Sequence, residues 1–140
     1  MPLFAIPPNL APPASKAREL YEQDQLDPTI TYCENELAVL ARRIPAKSRD
    51  LPQANPPASA AYQFYAITLI MTDALAERSR WTEAKEALGR YRVHFPRDPW
   101  GFHAGAEVTR RDPDVHDAAA VQRAVELLEG EAHRLSQKPG

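Results

Sequence analysis

The sequence predicts an all-α fold in which about six helices form antiparallel pairs, stacked as a short array. Apolar residues recur at steps of three and four in three separate segments. Prolines are concentrated between those segments, and no segment alternates apolar and polar residues as a strand would. We expect residues 14–137 to form a single helical domain, preceded by a proline-rich N-terminal arm at residues 1–13.

The 14 prolines mark where helices can run. None falls within residues 29–44, 58–95 or 114–138, and a helix tolerates proline only in its first turn. Aspartate precedes proline at positions 27–28, 98–99 and 112–113, where we expect its carboxylate to cap a new helix. The predicted helices lie near residues 14–25, 28–44, 57–79, 81–95, 99–111 and 115–136.

Three of these helices carry an apolar stripe, which indicates that one face of each is buried. The stripes are Ile30, Cys33, Leu37, Leu40 and Ile44; Trp81, Ala84, Leu88, Tyr91 and Phe95; and Val121, Val125, Leu128, Ala132 and Leu135. Residues 64–75 differ, because they are apolar nearly all round. A helix of that kind packs on several sides, so we expect the third helix to be the buried centre of the domain.

The arm allows two interpretations. Its five prolines favour a loosely ordered terminus. Alternatively, it is an extended segment that lies over an apolar surface through Leu3, Phe4 and Ile6.

Composition and charge argue against several classes of function. The 17 basic and 19 acidic side chains give a net charge of −2, without the basic surplus of a nucleic-acid-binding protein. The most apolar stretch, residues 60–71, is shorter than the ~20 residues needed to span a bilayer. The N-terminus lacks the positive start and unbroken apolar core of a signal peptide. We expect an intracellular, cytoplasmic protein with neither nucleic acid nor membrane as its partner, and a nuclear location stays open.

A short pattern occurs twice. Cys33-x3-Leu37 is followed by Pro45, and Ala84-x3-Leu88 is followed by Pro96, each proline eight residues after the leucine. This pattern is similar to the second half of a tetratricopeptide (TPR) repeat, in which a small residue lets two helices approach and the proline ends the helix. The two copies are 51 residues apart instead of about 34, which indicates an insertion around residues 47–61. The repeats would be degenerate, and a different helical bundle is the alternative.

The resemblance implies a binding module whose first helices line a concave groove for a peptide or helix of another protein. The groove residues would be Arg18 and Glu22 in the first unit, Leu69 and Asp73 in the second, and Trp100, His103 and Glu107 in the third. The lysines and asparagines with which such domains grip chaperone carboxylates are missing, so that role is not expected. The acidic side chains favour a basic or amphipathic segment. For Leu69 and Trp100, packing within the core is the alternative.

Two other functions are alternatives to the adaptor or scaffold. The first is a structural subunit that associates with itself or with a larger assembly, and the second is a small helical enzyme. His103 and Glu107 stand four apart, but no His-Glu-x2-His element or cysteine pair accompanies them. Cys33 lies in a helical stripe, where a buried structural thiol is expected. We therefore expect no catalytic residue, no metal and no cofactor.

Overall fold

The structure is a computed structural model that describes residues 2–137. It contains six α-helices and one short 3-10 helix, and the described residues include no strand, which confirms the predicted all-α fold. The helices are α1 (Ala14–Glu22), α2 (Leu26–Ala41), α3 (Ala60–Glu77), α4 (Trp81–His94), α5 (Pro99–Arg111) and α6 (Ala118–Ser136), and the 3-10 turn is Pro52–Ala54.

Only one of the three Asp-Pro pairs begins a helix as predicted. The Asp98 side chain accepts a hydrogen bond from Trp100 N at 3.0 Å, with Pro99 as the first residue of α5. The caps predicted at Asp27 and Asp112 are wrong. Helix α2 begins at Leu26, so Asp27 lies within its first turn, and Asp112 follows the last residue of α5.

The cap of α6 is a different aspartate, five residues beyond the one predicted. Asp117 Oδ1 accepts hydrogen bonds from Ala119 N and Ala120 N at 3.0 and 3.1 Å. Asp112 is drawn instead to Lys85 of α4, whose Nζ lies 2.7 Å from its carboxylate. Asp112 also accepts a hydrogen bond from Asp114 N at 2.8 Å, so it combines this tertiary ion pair with a local turn and does not cap α6.

Each helix packs against the next along the chain, and α1 also packs against α3. Helix α3 is the buried centre, as predicted, with 14 of its 18 residues buried. Its small and large apolar side chains meet α2 on one side and α4 on the other. Within residues 2–137, none of the helices combines the length with the apolar character that crossing a membrane requires.

Asp98 joins three parts of the chain. Its Oδ2 accepts hydrogen bonds from the Tyr91 hydroxyl and from Gln53 Nε2, while its Oδ1 caps α5. Tyr91 and Asp98 are both almost fully buried. Because a buried carboxylate needs such partners, this network fixes the end of α4, the 3-10 turn and the start of α5 relative to one another.

Candidate functional site

The N-terminal arm lies along α3 and also contacts α1 and α5. Leu3 and Phe4 contact the C-terminal half of α3 at Asp73, and Ala11 contacts its first turn at Gln63, so the arm runs antiparallel to α3. The arm also contacts α1 through Arg18 and α5 through Trp100, and we call this combined surface of α1, α3 and α5 the arm face. Of the two interpretations of the arm, the structure shows the extended, packed segment.

Asp73 holds the beginning of the arm. Its Oδ1 accepts hydrogen bonds from the backbone N–H groups of Leu3 and Phe4, at 2.8 and 3.1 Å. The side chain is fully buried, and burial raises the pKa of this carboxyl to about 7. The two backbone hydrogen bonds act in the opposite direction and lower it, whereas the nearby charge of Glu77 raises it further. Asp73 is therefore an acceptor for main-chain amides, and it is not exposed to steer a basic ligand.

An aromatic cluster receives the side chain of Phe4. The rings of Phe4 and Trp100 meet edge to face, with centroids 5.7 Å apart and planes at 66°. Trp100 in turn packs edge to face on Tyr65 and on Tyr91, each at 5.0 Å. Such pairs contribute about 0.5–1.5 kcal/mol beyond the area that they bury. Phe4 is therefore the arm's aromatic anchor.

Three further side chains of the arm, Leu3, Ile6 and Leu10, pack against the same buried core. They lie on both sides of the Pro7-Pro8 pair, which keeps this segment extended. The arm thus combines apolar anchors with main-chain hydrogen bonds at its two ends.

Gln63 holds the other end of the arm. Its Oε1 accepts a hydrogen bond from Ala14 N at 2.9 Å, and its Nε2 donates to Ala11 O at 3.0 Å and to Pro57 O at 2.6 Å. The residue is buried, with 2% of its surface exposed. Sequence reasoning missed Gln63, although a lone amide near the start of an otherwise apolar helix was a usable signal.

The structure brings three of the seven predicted groove residues together at the arm, and a fourth, Leu69, lies in the core beneath it. Asp73 and Trp100 contact it as described, and Arg18 Nη1 donates a hydrogen bond to Pro8 O at 2.9 Å. Leu69 is almost fully buried in the core on the same helix as Asp73, which matches the core-packing alternative.

The other three predicted residues make polar contacts with neighbouring side chains on the surface. Glu22 lies 3.8 Å from Arg18, and its side chain is 64% exposed. His103 Nδ1 lies 2.8 Å from Glu129 Oε2, so the ring is directed to α6. Glu107 pairs with Arg110 and Arg111 on its own helix. The predicted acidic character of the surface is thus largely neutralised, since Glu22 and Glu107 have arginine partners and Asp73 is buried.

Among the described residues, the arm face contains neither a free cysteine nor a group of side chains that could hold a metal ion. Cys33 is a free thiol in the core, and burial, followed by the charges of Glu36 and Glu34, raises its pKa to about 12. A thiol with that pKa is a poor nucleophile at neutral pH. Across residues 2–137, no three His, Cys, Asp or Glu side chains are grouped so that they could hold a metal ion.

Comparisons of the chain with protein-family models, with curated proteins and with solved structures found no match. The TPR resemblance therefore rests on the residue patterns alone. The geometry of the arm face is the basis for the function proposed below.

Proposed function

We propose that this chain is a protein–protein interaction module, an adaptor or scaffold of TPR-like helix pairs, that holds an extended apolar peptide on its arm face. The observation that supports this proposal is the arm itself. An extended, proline-containing segment already lies on this surface, with its main chain bonded to Asp73 and Gln63 and its Phe4 ring against Trp100. A partner's segment with the same chemistry would find the same groups.

The contacts define the kind of peptide that fits. Asp73 accepts two consecutive backbone N–H groups, which excludes proline from both positions. Gln63 donates to a carbonyl about seven residues further along, and Arg18 donates to another between them. These main-chain contacts do not depend on sequence, so the apolar anchors would supply the specificity. We therefore propose a ligand with adjacent aliphatic and aromatic residues followed by prolines, in place of the basic segment predicted from the acidic side chains.

The arm would compete with such a partner. A segment tethered beside its own site has an effective concentration in the millimolar range. A partner peptide must therefore bind much more tightly than the arm, or meet the chain when the arm is displaced. This competition makes the proposal testable with the full chain and a peptide copy of its first thirteen residues.

The experiment compares the parent chain with Leu3→Ser/Phe4→Ser, which weakens the anchors of the tethered arm. Binding of the thirteen-residue peptide is followed through the fluorescence of Trp100, using the Trp81→Phe background to remove the second tryptophan. The double variant should bind the peptide at least about tenfold more tightly than the parent, because the competing arm has been weakened.

Two controls make the result specific. A peptide that carries Phe4→Ser should bind about tenfold more weakly, as expected for the loss of an aromatic anchor worth about 1.4 kcal/mol or more. The chain variant Asn9→Ser, at an exposed arm position, should behave like the parent. If the double variant remains helical but does not bind the peptide, the arm face does not accept a segment in trans and the proposal fails.

Self-association is the second candidate function, and the way in which the arm is joined to α1 favours it. The contacts described above between the arm and the arm face all involve residues up to Ala11, and Pro12 and Pro13 then lead into α1. A second copy could therefore supply the arm without loss of these contacts, as in domain swapping. Light scattering measures the molar mass of the parent chain at several concentrations. Exchange of arms requires a dimer, so a monomer at every concentration would argue against self-association.

A further inference from the structure

Positive charge is concentrated at the end of the molecule where α2 and α4 finish. Residues 42–50 and 90–97 contain seven lysines and arginines but one carboxylate, Asp50, in a chain whose net charge is −2. Backbone hydrogen bonds join the two segments. Lys47 N donates to Val93 O at 2.9 Å, and the residues that follow these two are bonded in the same way at 2.8 Å. Cations from distant parts of the sequence therefore lie at one end of the fold.

Six of these cations are exposed and lack a counterion within the described chain. They are Arg42, Arg43, Lys47, Arg49, Arg90 and Arg97, and we call the surface that carries them the basic end. None of the six makes an ion pair or a side-chain hydrogen bond with another of residues 2–137. Among the other lysines and arginines of that range, all but Lys16 and Arg123 have such a partner. The charge of the basic end is therefore not balanced by the described residues.

Stabilisation of helix ends accounts for only part of this charge. A cation at the C-terminus of a helix interacts favourably with the helix dipole, and this role fits Arg42, which directly follows α2. Lys47 and Arg49 lie in the loop beyond it. Arg97 comes two residues before the start of α5, where the dipole favours a negative charge instead. An anionic partner would offset the mutual repulsion of these cations.

An apolar cleft opens beside the cations, between α2 and α4. Arg90 and Val93 line the cleft on the side of α4. Ala38 and Ala41 line it on the side of α2, and Arg42 is the next residue of the chain. Val93 is 57% exposed although it is apolar. A segment that lies on the basic end therefore meets positive charge and aliphatic surface together.

This combination favours an acidic protein segment over nucleic acid or lipid. Proteins that bind single-stranded nucleic acid stack its bases on accessible aromatic rings. Phe64, which lines the cleft, and Phe95, which directly follows α4, are instead both buried. A surface that enters a bilayer presents protruding apolar side chains, whereas the apolar surface here is recessed between two helices.

One carboxylate, Glu34, also lines the cleft. It lies eight residues before Arg42, which corresponds to about 12 Å along α2. Glu34 therefore limits the positive part of the cleft to its lower half, next to Val93.

We propose that the basic end binds an acidic segment of a partner protein, with one aliphatic side chain of that segment in the cleft beside Val93. The cations attract and orient the segment, and apolar contact in the cleft adds affinity. The basic end contains none of the residues that hold the arm. This proposal therefore stands whether or not the arm face accepts a peptide.

Fluorescence anisotropy of a labelled acidic peptide tests the proposal on the full chain. The probe is an octapeptide of glutamates with leucine at its third and sixth positions, and a second peptide carries serine at both. At about 20 mM salt, the leucine peptide should bind at least about threefold more tightly than the serine peptide, because its aliphatic side chain is buried. Raising the salt to about 300 mM should weaken binding of both peptides at least about tenfold.

Two pairs of variants at exposed positions locate the binding. Arg90→Glu should weaken binding of the leucine peptide at least about fivefold, because attraction becomes repulsion. Arg123→Glu makes the same change of charge at an exposed arginine of α6 and should bind within about twofold of the parent. Val93→Ser should remove the preference for leucine, whereas Leu127→Ser, at an exposed apolar residue of α6, should keep it. Circular dichroism checks that all four variants remain helical.

The proposal is overturned if the leucine peptide does not bind at millimolar concentration in low salt. It is also overturned if Arg90→Glu and Arg123→Glu weaken binding equally. Tighter binding of a single-stranded oligonucleotide, or of vesicles that contain phosphatidylserine, would assign the basic end to nucleic acid or to lipid instead. A dimer that light scattering detects in the parent and not in Arg90→Glu would assign it to self-association.

Discussion

Phe4 and Trp100 bring the N-terminal arm into contact with α5, with their rings edge to face and centroids 5.7 Å apart. Trp100 is the second residue of α5, two positions after the buried Asp98 that caps this helix. The network that fixes the start of α5 therefore also positions the ring on which the arm packs. The arm in this way joins α3 and α5, whose contacts with each other are few.

Phe4→Ala should destabilise the folded state by about 1–3 kcal/mol, less than the full cost of removing a buried phenylalanine because Phe4 is only half-buried. Urea unfolding measures this loss. Hydrogen exchange adds a local test, since the N–H groups of residues 3 and 4 should lose protection when the anchor is removed. Asn9→Ala, at an exposed position of the arm, should change neither quantity. Equal exchange in the parent and in Phe4→Ala would show that the arm is not held by its aromatic anchor.

The helices could be predicted because their signals are local. Apolar residues recur at steps of three and four in α2, α4 and α6, whereas α3 is apolar nearly all round. Both patterns depend only on nearby residues and on whether one face or every face of the helix is buried. The cap at Asp98 is also a local signal, because its carboxylate accepts a hydrogen bond from the backbone N–H two residues later.

The candidate site could be predicted only in part, because its interactions link residues far apart in the sequence. Asp73 and Trp100 were identified from the repeat pattern, but the pattern does not contain the arm that covers them. An extended, proline-rich segment has no periodicity from which its docking can be inferred. Asp112 was assigned to a cap for the same reason, since its partner Lys85 lies on another helix.

Asp73→Asn should make the folded state more stable at neutral pH and should flatten its pH dependence. The carboxyl has a pKa of about 7 in the folded chain against about 3.9 when unfolded, so folding takes up a proton between these values. The stabilisation from the protonated form is complete below about pH 4 and is lost as the pH rises through about 7. Asparagine keeps an oxygen for the N–H groups of Leu3 and Phe4 without a buried charge.

Urea unfolding of the parent and of Asp73→Asn at several pH values between 4.5 and 8.5 measures this effect. The difference in free energy of unfolding should grow with pH by an amount on the order of 2–4 kcal/mol, in favour of the asparagine variant at the alkaline end. All other side chains are the same in the two proteins, so their contributions cancel in the difference. Parallel pH profiles would show that Asp73 is ionised throughout this range and more accessible than the structure indicates.

Cys33 should resist alkylation in the folded protein. Burial raises the pKa of its thiol to about 12, so the reactive thiolate is about one part in ten thousand at pH 8. Iodoacetamide at pH 8 should alkylate Cys33 at least about a hundredfold faster in denaturant than in buffer. Mass spectrometry measures the rate of this modification. Rapid alkylation without denaturant would mean that α2 opens locally, and it would also remove the reason for treating this cysteine as structural.

Gly101→Ala should destabilise the domain by about 1–3 kcal/mol, because it would overpack the contact between α4 and α5. A Cβ at Gly101 would lie 3.0 Å from Tyr91 Cδ1 and from Arg92 Cγ. Tyr91 cannot easily move, since its ring is fully buried and its hydroxyl is bonded to Asp98. Gly130→Ala is the matched control within α6. Apart from the helix's own backbone and the two adjacent residues, no atom of residues 2–137 lies within 4 Å of the added methyl group, and helix propensity should stabilise that variant by up to about 1 kcal/mol. Urea unfolding of both variants gives the comparison, and a stabilising Gly101→Ala would contradict the close approach of α4 and α5.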